Sequence, residues 1–382
     1  MYVVAHNGSE TVGGGEIAAL QVLAGLQARG HRVLMLVRDR EVAAGAAAYG
    51  VPLDVLRVGG HAALHDAARL AARLRRERPD AVLLTTFKKV IPAGLGARMA
   101  GVPRVVQRIG LQTDTPARGA RYRWAFRNLV DAVVVNAEEM RSAFAAAPPK
   151  GDPANVHTIR QGVRLRGKRE AGDALRRELG IPAGAPVIGT VARLARQKRL
   201  DRLVRTLALL PPDVHCVIAG DGEERAAVHA LASETGVAPR LHLIGFREPC
   251  EVMPTLDVYV VSSDREGMSN AMLEAMSVGV PVVSTAVSGA TEALAPANGG
   301  VAPGVITGFG ERELAAAIAA ILADADARRA MGAAARLRIS ERFDYDTMID
   351  RWERVLAGRM PATISAAPKV RIAPVLHARP AG

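Results

Sequence analysis

Two glutamates, Glu266 and Glu274, stand with seven residues between them in EGMSNAMLE, directly after the apolar run DVYVVSSD and at the opening of a helical pattern. Gly267, Met268, Ser269 and Asn270 lie between the two carboxylates. In a loop at a helix N-terminus their backbone amides can face an anion. A carboxylate one helical stretch further on can accept two hydrogen bonds from a vicinal diol such as a ribose. The pairing reads as a clamp for a nucleotide sugar, with a capped surface helix carrying two solvated glutamates as the plain alternative. A second segment, GTVARLARQKRLDRL, puts Arg193 and Lys198 five residues apart in a strand-to-helix loop. A guanidinium and an ammonium held there can straddle a diphosphate and do the work of a metal. An ordinary basic helix start would instead set both cations against the positive end of the helix dipole.

Other segments carry less. Asp221 and Gly222 in VIAGDGEERAAV suit a turn and a helix cap. In LIGFREP, Gly245 to Arg247 end a strand where backbone groups can read a base edge. HNGSETVGGGEIAAL runs from a strand through Gly13, Gly14 and Gly15 to a helix starting near Glu16, a loop that lets a ligand approach the backbone. The Gly-x-Gly-x-x-Gly dinucleotide fingerprint is absent from it. Lys88 and Lys89, two of only six lysines, follow the strand AVLLTTF; they face an acceptor or begin a solvated helix. RGARYRWAFRN sets Arg118, Arg121 and Arg123 among Tyr122, Trp124 and Phe126. Such a surface suits an anionic membrane face or an acidic glycan; equally, Trp124 and Phe126 pack in a core beneath solvated arginines.

Positioning these groups needs an alternating α/β chain. Short β-branched runs alternate with Ala/Leu/Arg-rich helical stretches in both halves, the pattern of parallel sheets covered by helices. In residues 1–164 strands are expected at Tyr2 to His6, His31 to Val37, Asp54 to Val58, Ala81 to Thr85, Arg104 to Ile109, Ala132 to Asn136 and Val156 to Arg160. Helices are expected at Glu16 to Arg29, Ala62 to Arg78, Val90 to Ala100, Arg118 to Leu129 and Ala137 to Ala147. The stretch Arg164 to Gly184 carries no strand pattern and marks a domain boundary. Residues 165–341 form the second domain, with strands from Val187, His215, Leu241, Val258, Pro281 and Gly300 and helices from Leu200, Glu223, Asn270 and Glu311. A last amphipathic helix occupies residues 342–358, and the Pro/Ala-rich tail, residues 360–382, reads as mobile. Ligands of open α/β sheets bind at the carboxyl ends of the strands, so the motifs belong in a cleft between the two domains.

The composition agrees with two globular domains. The chain has 382 residues, 49% of them hydrophobic and 23% charged, which excludes collagenous, coiled-coil and disordered chains. Cys216 and Cys250 supply neither a disulfide framework nor a zinc site, and no metal is expected. No stretch reaches the length of a membrane span and no leader is visible, so a cytoplasmic protein is expected. The +12 formal charge comes from 50 basic against 38 acidic residues, 44 of the basic ones arginine. It reflects attraction to phosphate-bearing partners or an arginine-rich compositional habit.

Taken together, the EGMSNAMLEAMSVGVPVVST block, the GTVARLARQK block and the N-terminal GGGE loop resemble the GT-B glycosyltransferases, specifically the large retaining family 4 (glycosyl transferases group 1), over roughly residues 1 to 358. The resemblance implies two Rossmann-like domains facing each other across a cleft, with a nucleotide-sugar donor on the second, an acceptor on the first, and the final helix crossing back to the first. It implies that Arg193 and Lys198 hold the donor diphosphate, Glu274 the ribose, and Glu266 with the amides of Gly267, Met268, Ser269 and Asn270 the sugar and phosphate. The backbone near Arg247 would meet the base, and Gly14 and Gly15 would let the donor phosphate approach the first domain. Family members work without a bound metal and need no cofactor. The family commonly has a histidine at the end of a central strand of the first domain; here VPRVVQRIG puts Gln107 or Arg108 there. Arg108 can bind an anionic sugar or an acceptor phosphate but keeps its proton and cannot be a general base. His6 is a substitute by position, although a lone histidine at a strand end is more often structural. Lys88 and Lys89 join Arg108 on the acceptor side.

The expected activity is transfer of a hexosyl unit from a nucleoside diphosphate sugar to a hydroxyl of a glycan or lipid-linked acceptor in cell-envelope or polysaccharide synthesis, with peripheral contact to the inner membrane face. A nucleotide-sugar epimerase or phosphorylase on the same fold is the rival enzyme. A basic module binding membrane or nucleic acid is the non-enzymatic rival. Nucleic acid is not an expected partner, because no module motif appears and the arginines are scattered over both halves.

Overall fold

Each β-branched run pairs with its neighbours in parallel, and the chain builds one sheet from its first half and another from its second. The computed structural model describes residues 1–10, 14–57, 63–110, 115–116, 119–144, 147–165, 172–296 and 299–359. The first half contributes strands β1 (Tyr2–His6), β2 (Arg32–Val37), β3 (Leu53–Val55), β4 (Ala81–Leu84), β5 (Arg104–Ile109), β6 (Ala132–Val135) and β7 (Val156–Thr158). Its helices are α1 (Gly14–Ala28), α2 (Arg40–Ala46), α3 (Ala63–Glu77), α4 (Val90–Met99) and α5 (Ala120–Leu129). The second half follows with α6 (Gly172–Glu178), β8 (Val187–Val191), α7 (Leu200–Ala208), β9 (His215–Ala219), α8 (Arg225–Glu234) and β10 (Leu241–Leu243). It continues through α9 (Pro249–Val252), β11 (Val258–Val261), α10 (Asn270–Ser277), β12 (Val282–Thr285), α11 (Ser288–Ala293), β13 (Gly304–Thr307), α12 (Glu311–Ala323), α13 (Ala325–Arg342) and α14 (Tyr345–Leu356).

The strand orders are β3-β2-β1-β4-β5-β6-β7 and β10-β9-β8-β11-β12-β13. In each sheet the direction of winding reverses beside the first strand, between β1 and β4 and between β8 and β11. A crevice opens at the carboxyl ends of the strands at such a point. These are two Rossmann-like α/β domains facing each other across a cleft, the GT-B arrangement. Both faces of each sheet are covered. Val4, Val82 and Val105 pack on one side of the first sheet with Phe126 and Leu129 of α5, while Val3, Ala5 and Val106 pack on the other with α1.

The final helix joins that second layer. Met348, Ile349, Trp352, Val355 and Leu356 of α14 pack with Leu20 and Leu23 of α1, and Trp352 is 2% exposed. Gly25 allows this approach, because a side chain there would strike Ile349. Asp344 caps the helix by accepting from the Thr347 amide at 2.8 Å, and the Tyr345 hydroxyl donates to the Gln21 carbonyl at 2.7 Å. The second sheet therefore ends before the chain returns to the first.

One expected helix is absent, and short helices appear where none was expected. The stretch from Ala137 to Ala147 forms short 3-10 turns at Glu138–Met140 and Ser142–Phe144, not an α-helix. Met140 and Phe144 reach the core from those turns, and the Pro148-Pro149 pair that follows has no amide hydrogens to extend a helix. The boundary stretch contains α6, held to the second domain by Arg176, whose Nη2 donates to Asp257 at 2.8 Å and whose Nη1 donates to the Ala185 carbonyl at 3.0 Å. The helices α2 and α11 had no distinct signal. Residues 360–382, Gly13 and Arg118 lie outside the described residues.

Candidate functional site

In the second domain the loops after β8 and β11 meet. Lys198, in the turn after β8, forms an ion pair with Glu266 after β11. The Ser263 hydroxyl also donates to Glu266, at 2.7 Å, and the Ser262 hydroxyl donates to the Lys198 carbonyl at 2.8 Å. With Thr190, Tyr259 and Ser269 these groups line a hollow at the switch point. The larger groove of this domain, between α8 and β10, is lined by none of them. Arg193, in the same loop as Lys198, is exposed and has no side-chain partner among the described residues. Lys198 lines the hollow already paired with Glu266, while Arg193 follows the lining residue Ala192 in the chain.

A network beneath them was not read from the sequence. Arg199 adopts a left-handed backbone conformation (φ +50°) at the start of α7. Its guanidinium bonds Asp201 at 3.0 Å and Asp264 at 3.1 Å, while Arg202 Nη2 bonds Asp264 at 2.8 Å. Burial raises the Asp264 pKa, but the bonds from Arg202 and Arg199 outweigh it and hold the carboxyl below its ordinary value. The Asp264 amide also donates to the Gln197 carbonyl at 3.1 Å. The two loops carrying Lys198 and Glu266 are therefore locked together. Four charged residues spread over QKRLDRL and SSDREG give no local sign of such a pairing.

The helix α10 starts with Ser269 as its cap, its hydroxyl accepting from the Met272 amide at 3.4 Å. Asn270 Nδ2 is buried without a partner. Glu274 lies in the second turn, half-buried. Burial first, then the charges of Glu248 and Glu274, raise the pKa of Tyr49 in the first domain, so these carboxylates face that domain across the cleft. Met268 contributes only backbone here, because its side chain is buried in the second core. Gly267 is required by close approach: a Cβ there would lie 2.7 Å from the Gly110 carbonyl and 3.3 Å from Asn136 Nδ2. After β10, the Arg247 side chain turns to Glu178 on α6 and away from the cleft, leaving the loop backbone and the 78% exposed Phe246.

The first domain offers polar groups with unspent capacity. His6, Asn7 and Gln107 are buried at the ends of β1 and β5, and His6 Nε2, Asn7 Nδ2, Gln107 Oε1 and Asn136 Oδ1 have no partner among the described residues. Thr86 ties the β4 loop to the β1 loop, accepting from the Gly8 amide at 3.0 Å and donating to Asn7 at 3.1 Å. Burial, then the Lys89 charge, lowers the His6 pKa from 6.5 to about 4, with Asp66 opposing. A neutral histidine with that pKa is a poor match for a general base at neutral pH. Lys88 is exposed in the turn after β4, and the Lys89 stem lies against Gly8. Arg108 is 8% exposed, and its Nη1 donates to the Gly15 carbonyl at 3.3 Å. Gly14 and Gly15 open α1. On α5, Tyr122 and Phe126 are buried against Phe87, while Trp124, Arg121, Arg123 and Arg127 face outward. Trp124 therefore belongs to the surface and Phe126 to the core.

Among the described residues no group of three or more His, Cys, Asp and Glu could hold a metal ion, and no helix is long and apolar enough to cross a membrane.

Known proteins share this architecture. The family described as glycosyl transferases group 1 matches residues 172–338, and the glycosyl transferase 4-like domain matches residues 13–162. The lipopolysaccharide core biosynthesis glycosyltransferase LpsE of Rhizobium meliloti is 31% identical over 186 residues, 48% of this chain and 53% of that protein, so the match spans little more than half of the relative. A GDP-mannose-dependent alpha-(1-6)-phosphatidylinositol monomannoside mannosyltransferase of Mycolicibacterium smegmatis is 30% identical over 289 residues, 70% of this chain and 73% of that one. Anabaena HepE in complex with UDP-glucose superposes with a TM-score of 0.80 over 94% of this chain and 100% of that chain, at 22% identity, a likeness of fold. With both halves matched in order and the switch-point crevices facing each other, the chain belongs to the glycosyltransferases of the GT-B fold.

Proposed function

We propose that the protein is a retaining, family 4 glycosyltransferase that moves a hexosyl unit from a nucleoside diphosphate sugar to a hydroxyl of a glycan or lipid-linked acceptor, in the synthesis of cell-envelope or other polysaccharide. The observation that carries this reading is the Lys198–Glu266 pair beside Arg193, locked at the carboxyl ends of β8 and β11 and facing the unpartnered polar groups of the first domain. Arg193 and Lys198 hold the diphosphate, Lys198 exchanging part of its bond with Glu266 for a phosphate oxygen. Glu274 takes the ribose hydroxyls and the amides of Gly267 to Asn270 the sugar and its phosphate. Gly14 and Gly15 admit the donor to the first domain, the backbone near Arg247 meets the base, and Lys88, Lys89 and Arg108 hold the acceptor.

In the reacting step the bond from the anomeric carbon to the leaving phosphate oxygen breaks, its electron pair staying with the diphosphate. The acceptor hydroxyl oxygen bonds the same carbon on the same face, and its proton passes to the departing phosphate. The protein's share is positioning and the cationic charge of Arg193 and Lys198 on the leaving group. We place the enzyme in the cytoplasm, with Arg121, Arg123, Trp124 and Arg127 of α5 against an anionic membrane face.

A thermal-shift series with UDP, GDP and ADP and their common sugars, followed by Lys198→Ala, tests the reading. One nucleotide should raise the melting temperature. Lys198→Ala should cut transfer by roughly a hundredfold or more with the fold intact. No stabilisation by any nucleotide, or near-normal turnover of the variant, would sink it.

A further inference from the structure

Arg108 is a buried cation whose environment gives it almost nothing to neutralise it. It is the next-to-last residue of β5, 8% exposed, and the one hydrogen bond of its guanidinium among the described residues is from Nη1 to the Gly15 carbonyl at 3.3 Å. Among the described residues no carboxylate forms an ion pair with it. Glu16 is the acid whose field reaches it, and burial outweighs that field, so the guanidinium pKa is lowered from its ordinary value. A buried charge without a countercharge is costly, and a ligand that carries one would offset that cost.

Its position points to the ligand. A Cβ on Gly110 would lie 3.4 Å from Arg108 Nη1, and the Gly110 carbonyl in turn lies against Gly267 of the second domain. Arg108 therefore borders the loop assigned above to the transferred sugar, not the end of α10 that carries Glu274. Neutral groups suited to ring hydroxyls stand at the same carboxyl edge of the first sheet: among the described residues His6, Asn7, Gln107 and Asn136 each keep a buried, unpaired polar atom. A neutral sugar would be served by these alone and would leave the guanidinium uncompensated. A planar fork of N–H donors matches a carboxylate or phosphate in bidentate fashion.

We propose that the sugar received between Gly267 and the first domain bears an oxyanion, a ring carboxylate or a phosphate ester, and that Arg108 is the residue that selects it. The inference rests on the glycosyl-transfer reading above and deepens it. The oxyanion belongs to the transferred sugar or to the acceptor sugar, and the two sources separate experimentally.

The test uses full-length wild-type protein, Arg108→Gln and Arg108→Lys. In the donor arm, UDP, UDP-glucose and UDP-glucuronic acid are titrated calorimetrically, with the GDP or ADP series instead if the thermal-shift series selects that base. In the acceptor arm, the nucleotide-saturated protein is titrated with methyl glucoside, methyl glucuronoside and glucose 6-phosphate. Wild type should prefer the acidic ligand at least tenfold in one arm, and that arm identifies the source. Arg108→Gln should erase the preference while leaving the affinity for the bare nucleotide within about twofold, and Arg108→Lys should restore part of it. The ligand-free Arg108→Gln protein should melt no lower than wild type, since an unpaired buried charge has gone. Three results overturn the proposal: no acidic preference in either arm, an equal loss of affinity for the bare nucleotide, which would assign Arg108 to the diphosphate, or a lower melting temperature of the ligand-free variant. Failure of every nucleotide to bind would instead overturn the glycosyl-transfer reading itself.

Discussion

Replacing His6 with glutamine should flatten the pH dependence of the first domain's stability below neutrality. His6 ends β1 at 1% exposure, and its Nε2 has no partner among the described residues. Burial and then the Lys89 charge lower its pKa from 6.5 to about 4, against a smaller opposing effect of Asp66. The unfolded chain takes up the proton near the ordinary histidine value, whereas the folded chain refuses it until about pH 4. The stability contributed by neutral His6 is therefore complete above the unfolded pKa and is lost as the pH falls toward the folded one. The displacement corresponds to about 3 kcal/mol in full, of which roughly 2 kcal/mol has gone at about pH 5. Urea titrations followed by tryptophan fluorescence read this domain, because Trp124 lies on α5 and Trp352 packs onto the first sheet through α14. Between about pH 7 and pH 5 the wild type should lose about 2 kcal/mol more than His6→Gln. Parallel pH profiles for the two proteins would refute the reasoning, since they would mean that His6 titrates alike in both states.

Two further outcomes follow from packing. Gly267→Ala places a methyl group 2.7 Å from the Gly110 carbonyl across the cleft; it should weaken donor binding and slow transfer at least tenfold, with a melting temperature near wild type, and unchanged kinetics would show that the cleft opens freely there. Trp352→Ala removes a 2% exposed side chain from the α1/α14 layer and should cost about 3–5 kcal/mol of first-domain stability in denaturant titration; a cost below about 1 kcal/mol would mean that α14 contributes little to that domain.

Much of the framework was legible because parallel strands buried on both faces read as continuous β-branched runs. β1, β5, β8 and β9 fall on their expected residues, and α12 does too. The misses have local causes. The Ala137 to Ala147 stretch has apolar residues at helical spacing, yet short turns ahead of Pro148-Pro149 satisfy the same core contacts. The short helix α6 is held by Arg176 reaching Thr255, Asp257 and Ala185, partners far away in sequence that no window of local pattern contains.

The candidate site divides the same way. The sequence by itself determined which chemistry is available: Glu266, Glu274, Arg193, Lys198 and the glycine loops follow strands, and residues after parallel strands must gather at one edge of a sheet. It also showed that Gln107 or Arg108 stands where the family commonly has a histidine. Only the tertiary structure decided that Lys198 and Glu266 neutralise each other, that Arg199, Arg202, Asp201 and Asp264 lock the loops beneath them, and that Arg108 is buried with no carboxylate among the described residues to answer it. The physical reason is that strand and helix formation depend on neighbours along the chain, whereas the state of a charge depends on what other strands bring within a few ångströms and on how much water they exclude.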